Sequence, residues 1–171
     1  IKDVTKFNHL VEILASQSGN LLNVAELSNT CNLARQAVER YLCLLEQTYV
    51  IRLVRPFSRN LRSEITKTPK IFFYDTGLMQ MLWLKQLQKE LLGSVFETSI
   101  FAELVKRFGS EQIHYWRTLD KKEIDFVVRF PDHIVPIETK INFPRAVPGA
   151  MYSFIETYNS GPGNAPTYTV I

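Results

Sequence analysis

Apolar residues recur at helical spacing three times near the start of the chain. Phe7, Leu10, Val11, Ile13 and Leu14 form a first stripe ending near Ser18-Gly19, the pattern of an amphipathic helix closed at a glycine. Asn23-Val-Ala-Glu26 has the form of a capping box, the asparagine accepting from free amides while the glutamate reaches back. It predicts a short second helix to about Thr30. A third is expected from near Asn32, with Leu33, Val38, Leu42 and Leu45 on one face and Arg35, Gln36, Glu39 and Arg40 outward. The pattern then changes to β-branched and aromatic runs, Tyr49-Val-Ile-Arg-Leu-Val-Arg-Pro56 and Lys70-Ile-Phe-Phe-Tyr74, which predict paired strands. Three helices with a tight turn before the third, then two strands, predict a winged helix-turn-helix over residues 1–75.

Asp75 to about Leu92 reads as a connecting helix, assigned to residues 76–92, with Trp83, Leu84 and Leu87 packing on one or both halves. Residues 93–171 form the second predicted domain. Between Gly93 and Gly109, Val95, Phe96, Ile100, Phe101, Leu104, Val105 and Phe108 make a helical stripe. A strand from Gln112 to Arg117 follows, then a pair, Glu123-Ile-Asp-Phe-Val-Val-Arg-Phe and His133-Ile-Val-Pro-Ile-Glu-Thr-Lys140, joined by a Pro131-Asp132 turn. A helix around Ala146 to Tyr158 and a strand from Thr167 to Ile171 complete the order. Phe72, Phe73, Trp83, Trp116 and Phe126 read as core aromatics.

The paired strands carry the chemistry. At a two-residue period Glu123 and Asp125 share one face of the first, and Glu138 and Lys140 share one face of the second. Carboxylates among Ile, Phe and Val carry a desolvation cost that a partner must offset. A divalent cation fits best, because Mg²⁺ takes one or two carboxylates, keeps waters and accepts a phosphate oxygen. Lys140, two residues beyond Glu138, can then serve a metal-held water or steady the charge on a phosphate. Glu97, beside the apolar stripe of its helix, can supply a further ligand or acceptor. The plainer alternative is an exposed strand edge, with Asp125 paired to an arginine.

Helix glutamate, strand aspartate and E-x-K on the next strand resemble the signature of the PD-(D/E)XK nuclease superfamily. Lys70-Ile-Phe-Phe-Tyr-Asp-Thr-Gly-Leu, Gly93-Ser-Val-Phe-Glu, His114-Tyr-Trp-Arg, Glu123-Ile-Asp-Phe-Val-Val and Ile137-Glu-Thr-Lys look more closely like the domain of unknown function that follows the ATPase in many bacterial and archaeal AAA+ ATPases. The resemblance covers nearly the whole chain. It implies a mixed α/β chain, a winged helix-turn-helix followed by a restriction-endonuclease-like αβββαβ domain, and phosphodiester cleavage with Mg²⁺ or Mn²⁺. By position it implies Glu97, Asp125, Glu138 and Lys140 as the site, with Asp125, Glu138 and Glu97 on the metal and Glu123 as an accessory. Two positions depart from the family pattern: Asp120-Lys-Lys122 stands where a small residue or glycine is usual, and Thr139 stands where an apolar residue is more common, both away from the ligands. Where such relatives cap the third helix with Ser or Thr, this chain has Ala34, which leaves that role to Asn32.

Charge adds a nucleic-acid reading. Residues 1–92 hold twelve basic and eight acidic side chains, net +4, whereas residues 93–171 hold eight and nine, net −1. The connection from Phe57 to Pro69 carries Arg59, Arg62 and Lys67 against Glu64, a candidate basic wing for DNA phosphates, while Arg35, Gln36 and Arg40 can reach base edges. The alternative is a protein-binding module, and the resemblance adds that winged helices behind AAA+ modules often pack on the ATPase. Cys31 and Cys43 lack metal spacing and are expected as buried free thiols, and His9, His114 and His133 do not cluster.

No phosphate-binding G-x-x-x-x-G-K-[ST] is present, so the ATPase partner is expected elsewhere in a longer protein of which this chain, opening on Ile1, is a C-terminal piece. G-x-S-x-G, a Cys/His pair and a dinucleotide fingerprint are absent too, which leaves metal-assisted hydrolysis as the supported chemistry. Without an apolar run of about eighteen residues or an apolar leader, the chain is expected to be cytoplasmic and free of membrane partners. Two functions stand: an Mg²⁺-dependent nuclease with DNA presented by the winged helix, or a nonhydrolytic DNA- or protein-binding platform attached to the ATPase.

Overall fold

Asp3, Asn23 and Asp75 lie in extended backbone just before a helix, and the side chain of each accepts from the amide three residues on, Lys6, Glu26 and Leu78. Such caps satisfy donors that a helix start leaves open. They begin α1 (Val4–Ser16), α2 (Val24–Thr30) and α4 (Thr76–Leu84). The chain is described by a computed structural model that covers residues 3–58, 68–142 and 146–158 and the backbone of 169–170. The capping box at α2 is one-sided: Asn23 accepts from Glu26, and the Glu26 carboxylate makes no return bond among the described residues.

Helix α3 (Arg35–Gln47) starts differently. Ala34 is its N-cap and makes no side-chain bond. Asn32, expected as the cap, instead takes a left-handed φ of 48° and donates its amide to the Asn29 carbonyl, closing the end of α2. Standing two residues before the true cap, it belongs to the turn between the helices. Strands β1 (Ile51–Val54) and β2 (Lys70–Phe73) pair antiparallel, from Ile51 opposite Phe73 to Val54 opposite Lys70. The expected wing residues Arg59, Arg62 and Lys67 lie outside the described residues.

The expected connecting helix over 76–92 is shorter than its apolar pattern implied. Helix α4 ends at Leu84, where Lys85 turns left-handed at φ 58°, and the Gln88 amide donates back to the Gln80 side chain. Leu87 is exposed rather than packed, while Trp83 is partly buried against the first core. Helix α4 packs on α1, where Lys85 pairs with Glu12.

Two compact units emerge. The first contains residues 1–54 and 68–102, the second residues 55–67 and 103–171. Helix α5 (Gly93–Phe108) contributes its first part to one and its last part to the other. The first unit buries Leu10, Leu14, Val38, Ile51, Ile71 and Phe73 in one cluster. In the second, β3 (Ile113–Arg117), β4 (Glu123–Arg129) and β5 (Ile134–Glu138) form an antiparallel sheet, and β6 (Thr169–Val170) joins β5 in parallel. The expected turn at Pro131-Asp132 closes with the Phe130 amide donating to the His133 carbonyl. Lys121, within the Asp120-Lys-Lys122 stretch of the β3–β4 turn, takes φ 63°, a conformation glycine adopts without strain. Helix α6 (Gly149–Tyr158) contributes Met151 and Phe154 to a core with Phe57, Trp116, Ile124 and Val127. Cys31 is buried as expected, but Cys43, on the outer side of α3, is exposed.

Candidate functional site

Strand β4 is buried at Ile124, Phe126, Val127 and Val128, and Asp125 sits partly exposed among them. The register pairs Phe126 with Ile137, so the next position brings Asp125 opposite Glu138, the last residue of β5. Residues directly opposite on antiparallel strands share a face, and the two carboxylates are close enough to interact electrostatically.

Glu138 is 7% exposed. Its Oε1 accepts from the Lys140 ammonium at 2.5 Å, and its Oε2 is buried with no hydrogen-bond partner. Burial pushes the Glu138 carboxyl above the ordinary glutamate range, the charge of Asp125 adds to the push, and Lys140 opposes it. Lys140 lies just past the strand end and is about half exposed.

Asp125 is held from an unexpected side. Thr139, beyond the last residue of β5, donates both its amide and its hydroxyl to Asp125 Oδ2, each at 2.8 Å. The expectation that Thr139 lies away from the ligands is therefore corrected: with strand pairing finished, its backbone and side chain turn to the neighbouring carboxylate. Oδ1 of Asp125 has no partner, and Asp125 no ion pair with an arginine, among the described residues. Arg117 takes Glu123 instead, at 2.7 Å across β3 and β4, so the expected accessory acid is engaged elsewhere.

Glu97 lies in the first unit, on α5. Its Oε1 accepts from the Lys70 ammonium at 3.3 Å, with the Lys70 side chain only 4% exposed, and its Oε2 would lie 3.1 Å from a Cβ placed on Gly19. Gly19 has φ 88° and donates its amide to Ile71. Glu97 is thus built into the packing between β2 and the turn after α1. The described residues bring Asp125, Glu138 and Lys140 together and give Glu97 to Lys70; no group of three or more His, Cys, Asp or Glu side chains able to hold a metal ion occurs among the described residues.

A buried carboxylate oxygen without a donor, beside a second acid, matches a hard divalent cation, which Mg²⁺ or Mn²⁺ satisfies with one or two carboxylates and water. Of the nucleic-acid candidates, Arg35, Gln36 and Arg40 are all exposed, and Arg35 pairs with Glu39 at 2.9 Å. Sequence reasoning missed Thr139 and Lys70. A hydroxyl inside E-x-K and a lysine opening an apolar strand were the signals available.

Residues 1–90, more than half of the chain, match the family model Domain of unknown function (DUF8612), and the chain belongs to that family. Residues 92–164 match the Domain of unknown function (DUF4143). An uncharacterized protein of Mycobacterium tuberculosis is 29% identical over 133 residues, covering 75% of this chain and 30% of its own length, and one of Mycobacterium bovis matches equally. An uncharacterized protein of Haemophilus influenzae is 26% identical over 149 residues, covering 84% of this chain and 36% of its own length. The chain spans about a third of the length of these curated relatives. No solved structure matches it significantly. Among the described residues no helix is long and apolar enough to cross a membrane.

Proposed function

We propose that this chain is the nucleic-acid-binding region of an AAA+ ATPase and carries an Mg²⁺-dependent phosphodiesterase site at Asp125, Glu138 and Lys140. In this reading α1–α3 with β1 and β2 act as a winged helix-turn-helix, and α5, the β3–β6 sheet and α6 act as a nuclease-like domain. The observation that carries it is the buried Glu138 carboxylate, with one oxygen unpartnered, Asp125 across the strand pair and Lys140 on the other oxygen. The DUF4143 match over residues 92–164 supports the ATPase association, because such domains occur in C-terminal regions linked to AAA+ ATPases.

Asp125 and Glu138 would hold the cation, which when bound would polarise a phosphodiester and acidify a water. Lys140 is placed to orient that water or balance phosphate charge, which requires its ammonium to leave Glu138 Oε1 or share it. Glu97 is engaged by Lys70. That engagement favours a second reading, a nuclease-like platform that binds without cutting.

A cleavage assay on duplex, single-stranded and branched DNA with Mg²⁺ or Mn²⁺, with and without the ATPase part, separates the two. The nuclease reading expects Lys140→Ala to lower cleavage by at least about a hundredfold while leaving metal affinity nearly intact, and Glu138→Ala to lose both. Absence of cleavage by the wild type joined to its ATPase leaves the platform reading standing, whereas a Lys140→Ala variant as active as wild type removes Lys140 from the chemistry.

A further inference from the structure

We propose that Thr139 is a positioning residue that fixes Asp125 for cation binding, an inference that rests on reading Asp125 and Glu138 as a divalent-cation site. Both Thr139 donors meet one oxygen of Asp125, the amide at 2.8 Å and the hydroxyl at 2.8 Å. Two bonds from one residue to one oxygen fix the carboxylate in rotation as well as position. They leave Oδ1, which has no other partner among the described residues, on the same strand pair as the unpartnered Oε2 of Glu138. Thr139 is itself 9% exposed, so water competes weakly for its hydroxyl.

The arrangement follows from chain geometry. β5 ends at Glu138, so the Thr139 amide is released from strand pairing and is available to a side chain. The same strand end lets residue 139 bond across to β4 while residues 138 and 140 meet each other. A hydroxyl at the middle position of E-x-K therefore supports the other carboxylate of the pair. Groups that orient metal ligands in this way typically change metal affinity about 10- to 100-fold when removed.

The test is calorimetric titration of MnCl₂ into the 171-residue chain, comparing wild type with Thr139→Val, which keeps the shape and the amide but removes the hydroxyl, and Thr139→Ser, which keeps the hydroxyl. The expected result is Mn²⁺ binding weakened about 10- to 100-fold in Thr139→Val and restored close to wild type in Thr139→Ser. Thermal melting confirms that each variant is folded, and if Thr139→Val does not fold, Thr139→Ala against Thr139→Ser makes the same comparison. Equal Mn²⁺ affinity in the hydroxyl-free variant and the wild type overturns the inference, as does a serine variant that binds as poorly as valine. Failure of the wild type itself to take up Mn²⁺ is a different result: it removes the cation site, and the role of Thr139 falls with it.

Discussion

At the scale of single residues, the burial of Glu138 carries a cost. Burial raises its proton affinity above that of an unfolded glutamate, Asp125 adds to this, and the Lys140 pair only opposes it. A carboxyl whose folded pKa is raised stabilises the fold in its protonated form. That contribution is present at acid pH and is lost as pH rises through the raised value, above the ordinary glutamate range. Above that value the ionised group works against folding. Glu138→Gln should therefore melt at a higher temperature than wild type at neutral pH, and the difference should shrink in acid. A glutamine variant less stable at neutral pH would show that the Lys140 pair outweighs burial. Thr139 and Lys70 make the complementary point: polar residues in apolar surroundings are where partners were to be sought.

Among the elements, those with a clear period were legible in the sequence. The stripes of α1 and α5, the Asn23 cap of α2 and the alternation that sets β4 and β5 about the Pro131-Asp132 turn all stand where the pattern put them. Helix α4 was overextended because Lys85, a residue without an intrinsic preference for left-handed backbone, ends it with no glycine or proline to signal the stop. The start of α3 was misplaced because Ala34 has no capping oxygen to mark it. The exposed Arg35, Gln36 and Arg40 on α3 and the basic β1–β2 connection lead to a further expectation. Duplex DNA affinity should fall steeply with salt, and Arg59→Ala with Arg62→Ala should lower the log-log slope by about two units if each arginine meets a phosphate. Binding that ignores salt and both substitutions would point to a protein-docking module.

For the whole molecule, the candidate site was half legible. The E-x-K spacing and the tight turn were enough to bring Asp125 near Glu138 and Lys140, because strand register follows from local geometry. The role of Glu97 was not readable in the same way, since its partner Lys70 lies 27 positions earlier and no periodicity reports a contact between distant segments. The family matches divide the chain between residues 90 and 92, whereas the compact units divide it within α5 and place residues 55–58 in the second unit. A pattern of local elements does not predict that exchange. The central claim remains that Asp125 and Glu138 hold a divalent cation, and its most direct measurement is anomalous diffraction from crystals soaked in MnCl₂. One Mn²⁺ peak within coordination distance of both carboxylates is expected, and it should disappear in Glu138→Gln. Well-ordered Asp125 and Glu138 side chains with no peak between them at millimolar Mn²⁺ would contradict it.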